Sequence, residues 1–87
     1  MAIVWVPSLL RDLTGGQTKV EVPGKSVRQV IDGLEALYPG VRARLCEGDS
    51  LSSLVAVAVD GELSNLRLLQ PVRENSEVHF VPAISGG

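Results

Sequence analysis

The chain has 87 residues and a mass of 9.2 kDa, which suffices for one domain and leaves no room for a second. Eight Lys and Arg residues against ten Asp and Glu residues give a net charge of −2, which argues against a nucleic-acid partner because such proteins need a basic face. No apolar run approaches the ~20 residues that span a bilayer, so no membrane partner is expected. The first residues carry no secretion signal, and we expect a cytoplasmic protein.

Two strands are predicted at the start of the chain. Residues 2–6 form a short apolar run, which indicates a strand buried on at least one face. In residues 18–22, apolar side chains alternate with charged ones, the pattern of a strand with one solvated face. Gly15 and Gly16 mark a turn between these strands, which predicts a hairpin with a long loop.

One strong helix is predicted over residues 26–38. Ser26 is a good N-cap residue with Gln29 as its capping-box partner, and Pro39 with Gly40 ends the helix. Its apolar positions follow the spacing of a single helical face: Val27, Val30, Ile31, Leu34, Leu37 and Tyr38.

The second half of the chain supplies three more predicted strands. Residues 41–46 add at most one turn of helix, and the polar residues 47–53 are predicted to form a loop. Asp60 and Gly61 predict a tight hairpin turn. The strands themselves are expected at residues 54–59, 62–63 and 78–81.

The predicted order β-β-α-β-β-β places one main helix against a mixed sheet of four to five strands. This α+β arrangement is the ubiquitin-like β-grasp fold, expected over residues 1–82. The alternative, a ferredoxin-like fold, requires a second amphipathic helix, and residues 65–72 lack the length and periodicity for one. Residues 83–87 remain as a flexible C-terminal tail that ends in two glycines.

Candidate catalytic residues are scarce. Cys46 is the only cysteine, so an intrachain disulfide and a cysteine metal cluster are excluded, and a reduced compartment fits. His79 is the only histidine, and it is more typical of a solvated strand residue than of a catalyst. The composition therefore favours a protein that other proteins bind or modify, with no metal of its own, rather than an enzyme.

The glycine pair at the end has two interpretations. Terminal glycines occur in frayed chain ends, where they have no function. Alternatively, residues without side chains allow the terminal carboxylate to enter a partner's narrow site, and the five residues after Pro82 reach about 17 Å when extended.

The whole chain resembles the ThiS/MoaD family of sulfur carriers, which are small ubiquitin-like proteins of the β-grasp fold. The most specific part is residues 77–87, with an acidic residue, a hydrophobic strand, a proline and the final glycine pair. The family often has Asp-Gly-Asp-Glu before this strand, where this chain has Glu-Asn-Ser-Glu at 74–77, and asparagine tolerates the same left-handed backbone. Residues 7–11 and 14–17 most resemble carriers that serve a cysteine synthase, and molybdopterin-type carriers are next.

The resemblance implies a role for the tail. An E1-like adenylating enzyme would use ATP and magnesium to adenylate the carboxylate of Gly87, which then becomes a thiocarboxylate. Ile84, Ser85 and Gly86 would thread the channel of that partner. The sulfur would pass to a sulfur-accepting synthase, either a cysteine synthase with pyridoxal phosphate or the large subunit of molybdopterin synthase. The carrier itself would bind no cofactor and supply no catalytic residue.

Strand alternation predicts a partner-docking face. If Val4 faces the helix, Trp5 and Pro7 both point to the opposite face of the sheet. The same alternation turns Val81 outward. Leu63 is expected to join this surface. The family resemblance supports Pro7, Leu63 and Val81 as docking positions.

Two other functions remain open. A ubiquitin-like modifier would use the same activation but join Gly87 to lysine side chains of other proteins. A plain β-grasp interaction module would bind partners through its body, and its tail would be incidental.

Overall fold

The computed structural model describes residues 1–83. The predictions for Ile84, Ser85, Gly86 and Gly87 lie outside the described residues. The elements are, in order, β1 (Ala2–Trp5), β2 (Lys19–Val22), α1 (Val27–Leu37), α2 (Val41–Leu45), β3 (Cys46–Glu47), β4 (Ser50–Leu51), β5 (Val55–Val59), β6 (Glu62–Leu63) and β7 (Glu77–Pro82). Short 3₁₀ turns lie at Ser8–Leu10 and Arg67–Leu69. In this part of the chain, no helix combines the length and apolar character needed to cross a bilayer.

The main sheet has five strands in the order β2-β1-β7-β5-β6. The central strands β1 and β7 run parallel, and every other neighbouring pair is antiparallel. The parallel pair is formed by the first and last strands, and the chain between them includes α1, which packs across the sheet. This mixed sheet with one main helix is the β-grasp arrangement, so the predicted fold is confirmed.

One face of the main sheet forms the hydrophobic core with α1. Alternate strand residues point inward, among them Val4, Val57, Val78 and Phe80, and they pack against the apolar stripe of the helix. We call the opposite face of this sheet the outer face. One residue of the predicted helical stripe differs, since Leu37 is exposed at the last position of α1, where it lies at the margin of the stripe.

The start of α1 follows the predicted capping pattern. The backbone N–H of Gln29 donates to the Ser26 hydroxyl at 3.3 Å, and the Gln29 side-chain oxygen accepts from the Lys25 N–H at 2.8 Å. These bonds satisfy N–H groups that have no partner within the helix. The predicted extra turn of helix is present as α2, directly after Gly40.

The prediction of a loop over residues 47–53 is wrong in part. Cys46 pairs with Leu51 and Glu47 with Ser50, so β3 and β4 form a small separate hairpin. Gly48 has φ +61°, a left-handed conformation that glycine adopts without steric cost. Strands of two residues are too short to show an alternation pattern, which is why the sequence does not reveal them.

The register of β7 is fixed by the turn between β5 and β6. Asp60 and Gly61 both have positive φ, as expected for a two-residue hairpin turn. The Asp60 carboxylate accepts hydrogen bonds from the Ser76 hydroxyl at 2.8 Å and the Glu77 N–H at 2.9 Å, which hold the pKa of Asp60 below its usual value. Asn75 has φ +63°, so asparagine adopts the left-handed conformation expected there. These contacts anchor the first residue of β7 and thereby determine which of its side chains face outward.

Candidate functional site

The outer face carries one row of side chains that crosses all five strands. Trp5 of β1 pairs with Lys19 of β2 on one side and with His79 of β7 on the other. His79 pairs in turn with Ala58 of β5, and Ala58 pairs with Leu63 of β6. Because paired residues share a face, this register places Lys19, Trp5, His79, Ala58 and Leu63 in one line.

Trp5 contacts three side chains of the outer face. Its indole Nε1 donates to the Glu77 carboxylate at 2.9 Å, and its ring stacks on the His79 ring with centroids 5.8 Å apart and planes 10° from parallel. The Lys19 ammonium lies 5.7 Å from the ring centroid. Although Trp5 is 36% exposed, these contacts restrict its rotamer.

Val81 lies two residues beyond His79 on β7, and Pro7 lies two residues past the end of β1, both towards the end of the sheet where the chain leaves it. Val81 pairs with Ala56 and is 37% exposed. Both residues line an open groove of about 310 Å³. We call it the tail-exit groove, and its apolar lining includes Pro7, Leu9, Leu54, Val55, Val81 and Pro82.

Arg44 holds one wall of the tail-exit groove in place. Its guanidinium donates to the Leu9 carbonyl oxygen at 2.9 Å and to the Asp12 carboxylate at 2.9 Å. The hydrogen bond from Arg44 holds the pKa of Asp12 below its usual range. The short helix α2 is thereby tied to the turn that carries Leu9.

The predicted docking residues are not all close together. Trp5 on β1 and Val81 on β7 lie on adjacent strands at one end of the outer face, and Pro7 follows the end of β1. Leu63 is 71% exposed on the edge strand β6, three strand spacings or about 14 Å from Trp5. Strand pairing places Trp5, Leu63 and Val81 on the outer face, and the docking role of all four residues stays a prediction.

The described chain leaves the main sheet beside the tail-exit groove. Pro82 pairs with Val55, and the Ala83 N–H donates to the Leu54 carbonyl oxygen at 2.9 Å. The predicted adenylation site Gly87 and the channel-threading residues lie beyond this point, outside the described residues.

Two groove residues were missed by the sequence reasoning. The sequence predicts a strand that begins at Leu54, but Leu54 precedes β5 and is 71% exposed, and Leu9 is 48% exposed. The signal for Leu54 is the alternation of valine and alanine in β5, because the valines are buried and the alanines lie on the outer face. Extending that alternation back by one residue turns Leu54 outward.

The titratable groups in the described residues have structural roles. Residues 1–83 contain no group of three or more His, Cys, Asp or Glu side chains that could hold a metal ion. Burial raises the pKa of the Cys46 thiol, which keeps it in the less reactive protonated form at neutral pH. The Glu35 carboxylate accepts the N–H groups of Arg42 and Gly40, which lowers its pKa and joins α1 to α2.

Comparison with known proteins identifies a family for the chain. The chain matches the model of the ThiS family over residues 4–87. It is 34% identical over 89 aligned residues to a protein of Mycobacterium tuberculosis named sulfur carrier protein CysO, and the alignment covers 97% of this chain and 96% of that protein. The match to the family model includes the final glycine pair.

Solved structures give the same result. The structure is similar to that of an Amycolatopsis orientalis BexX/CysO complex, with a TM-score of 0.90, 31% identity and 100% of both chains covered. It is also similar to CysO of M. tuberculosis, with a TM-score of 0.88, 31% identity and coverage of 97% of this chain and 100% of the other. The small archaeal modifier protein SAMP1 of Haloferax volcanii has a TM-score of 0.73 at 24% identity over 99% of this chain and 98% of its own, which shows a shared fold.

Proposed function

Because this chain belongs to the ThiS family, we propose that it is a sulfur carrier protein in cysteine biosynthesis, a carrier on which partner enzymes act. The observation that carries this proposal is the 34% identity over nearly the full length to sulfur carrier protein CysO. The family match extends to residue 87, so it includes the glycine pair that the chemistry requires. We propose the cytoplasm as the compartment, in which the single thiol of Cys46 stays reduced.

The proposed chemistry takes place at Gly87. A carboxylate is a poor electrophile, so an E1-like enzyme first activates it with ATP and magnesium. The carboxylate oxygen attacks the α-phosphate, pyrophosphate leaves, and an acyl adenylate forms. A sulfur nucleophile then adds to the acyl carbon and displaces AMP, which leaves a thiocarboxylate. Gly86, without a side chain, allows Gly87 to reach the reacting nucleotide through a narrow channel, and Ile84 with Ser85 spans the approach.

The body of the carrier binds the partner through the outer face. Trp5, Pro7 and Val81 form the centre of the contact, where an aromatic side chain held by its neighbours and two apolar residues lie beside the exit of the tail. Leu63 contributes at the far edge of the sheet. A CysO of A. orientalis was crystallised in a complex with BexX, which supports the expectation that this chain also works by docking to another protein.

The final sulfur acceptor follows from the branch of the family. A cysteine synthase is favoured, because the curated relatives carry the name CysO. There the thiocarboxylate sulfur would attack an activated serine derivative held on the pyridoxal phosphate of that enzyme. The molybdopterin synthase large subunit is the second candidate acceptor.

Reconstitution tests the proposal. The purified chain, the E1-like enzyme of the same organism, ATP and magnesium should release pyrophosphate, and addition of sulfide should convert the C-terminal carboxylate to a thiocarboxylate in the mass spectrum. A chain truncated after Ser85 is the matched control and should release none. Equal pyrophosphate release by the two chains would contradict the role of Gly87. High-mass adducts on lysines of other proteins, absent with the truncated chain, would instead indicate a modifier.

A further inference from the structure

The strand β2 forms one edge of the main sheet. Within residues 1–83 its one neighbouring strand is β1, with which its four residues pair in continuous register. An edge strand presents a row of N–H and C=O groups to which a further strand can bind, unless a bulge or a proline interrupts the row. In this chain Pro23 comes only after the strand has ended. The edge of β2 can therefore be extended by another strand.

A hydrogen bond of β1 shows which backbone groups of β2 point to this free edge. The Ile3 N–H donates to the Ser76 carbonyl oxygen at 2.8 Å, on the side of β1 away from β2. Ile3 pairs with Glu21, so these two residues exchange no hydrogen bonds with each other. Because bonded and non-bonded pairs alternate along an antiparallel ladder, the N–H and C=O groups of both Glu21 and Lys19 point to the free edge.

The charges on the free edge make β2 complementary to itself. Lys19 and Glu21 are exposed on the outer face, on either side of the buried Val20. If two copies of β2 pair antiparallel about a two-fold axis at Val20, Lys19 of each copy lies opposite Glu21 of the other. The backbone groups of these residues then face each other, so this register forms four N–H···O=C hydrogen bonds and two pairs of opposite charge.

The neighbouring registers are disfavoured by the same side chains. Registers that keep the outward backbone groups paired differ by steps of two residues. An axis at Lys19 places the two lysines directly opposite each other, and an axis at Glu21 does the same with the two glutamates. Like charges in these positions destabilise a strand pair. The axis at Glu21 also sets Lys19 opposite Pro23, which has no N–H to donate. Of these three registers, the axis at Val20 is therefore favoured.

We propose that β2 is a self-association site, through which two copies of this chain join their five-stranded sheets into one sheet of ten strands. The partner is a second copy because the charge pattern of the strand complements itself in the register that the backbone favours. Two paired strands of four residues bury far less than the about 1,200–2,000 Å² of a standard interface, so we expect a weak dimer that forms at about 0.1–1 mM. The pairing concerns this chain alone and does not rest on the proposed function.

Charge exchange tests the proposed register, with sedimentation equilibrium as the measurement of dimer formation. Lys19→Glu or Glu21→Lys alone places like charges opposite each other in both pairs, and each should raise the dimer Kd at least about tenfold. An equimolar mixture of these two variants, and the double variant Lys19→Glu/Glu21→Lys, restore opposite charges in every pair and should dimerise like the wild type. Arg28→Glu is the matched control, because it changes the net charge equally but lies on α1 beside Asp49 and Leu68.

Amide hydrogen exchange, followed by nuclear magnetic resonance, locates the contact. Exchange at the Lys19 and Glu21 amides should slow as the wild-type concentration rises, and exchange at Leu63 on the opposite edge strand should not change. A wild-type chain that stays monomeric at about 1 mM would overturn the proposal. Single variants that dimerise like the wild type, a mixture that fails to restore dimers, or protection at Leu63 instead of β2 would overturn it as well. Each of these failures leaves the sulfur-carrier proposal standing.

Discussion

Replacement of Val81 by glutamate should separate docking from folding. Val81 is 37% exposed, so roughly two-thirds of it is buried. Because full burial of a valine contributes about 1.5–3 kcal/mol, the substitution should lower the free energy of unfolding by about 1–2 kcal/mol at most. Truncation of the buried Phe80 to alanine should cost about 3–5 kcal/mol, which gives a reference for true core damage. Urea unfolding of both variants measures the two values.

The same glutamate should weaken binding to the E1-like enzyme strongly. A carboxylate in the centre of an apolar contact is left unpaired and desolvated in the complex, which should cost at least about 2 kcal/mol, or about 30-fold in Kd. Leu37→Glu is the matched control, because Leu37 is exposed on α1 behind the sheet. Titration calorimetry compares the variants. If Val81→Glu folds, binds and is adenylated like the wild type, Val81 does not belong to the docking surface and the outer-face account is wrong.

Three further substitutions test other parts of the account. Gly86→Val should abolish thiocarboxylate formation while changing the unfolding free energy by only a few tenths of a kcal/mol, so a normal rate of charging would refute the narrow channel. Asp60→Asn should lower the free energy of unfolding at neutral pH. Hydrogen bonds lower the pKa of Asp60 in the folded protein. The Asp60 carboxylate therefore stabilises the fold above about pH 4, and this stabilisation is lost as the pH falls through the lowered pKa. Unfolding midpoints of Asp60→Asn and wild type should therefore converge in acid. Cys46→Ala should charge normally, and Cys46 should react with iodoacetamide more slowly in the folded than in the unfolded protein, because burial raises its pKa.

Local patterns predicted the elements that position the site. The alternation in β1 and β7 placed Trp5 and Val81 on one face because the period of two holds in any strand that is buried on one side. The Asp60-Gly61 turn was predicted because both residues tolerate positive φ. Because the chain has one amphipathic helix, few architectures can bury the apolar faces of both the helix and the sheet, and the β-grasp fold is therefore predicted.

Contacts between distant parts of the chain could not be predicted in this way. The bond from Arg44 to the Leu9 carbonyl joins residues 35 positions apart, and the bond from Trp5 to Glu77 joins residues 72 positions apart. The first pair depends on how α2 packs beside the turn Ser8–Leu10, and the second on the register between β1 and β7, neither of which the sequence specifies. The tail-exit groove is built from four separate stretches of chain, so it becomes visible only in the folded molecule.

The mass of the carrier purified from its own cells tests the central claim most directly. A sulfur carrier should contain a fraction of molecules heavier than the calculated chain by the difference between one sulfur and one oxygen atom. Fragmentation should place that difference on Gly87. Growth conditions that raise the demand for sulfur transfer should increase this fraction, and loss of the E1-like enzyme should abolish it. A carrier that shows only the unmodified carboxylate at Gly87 under all these conditions would contradict the sulfur-carrier proposal.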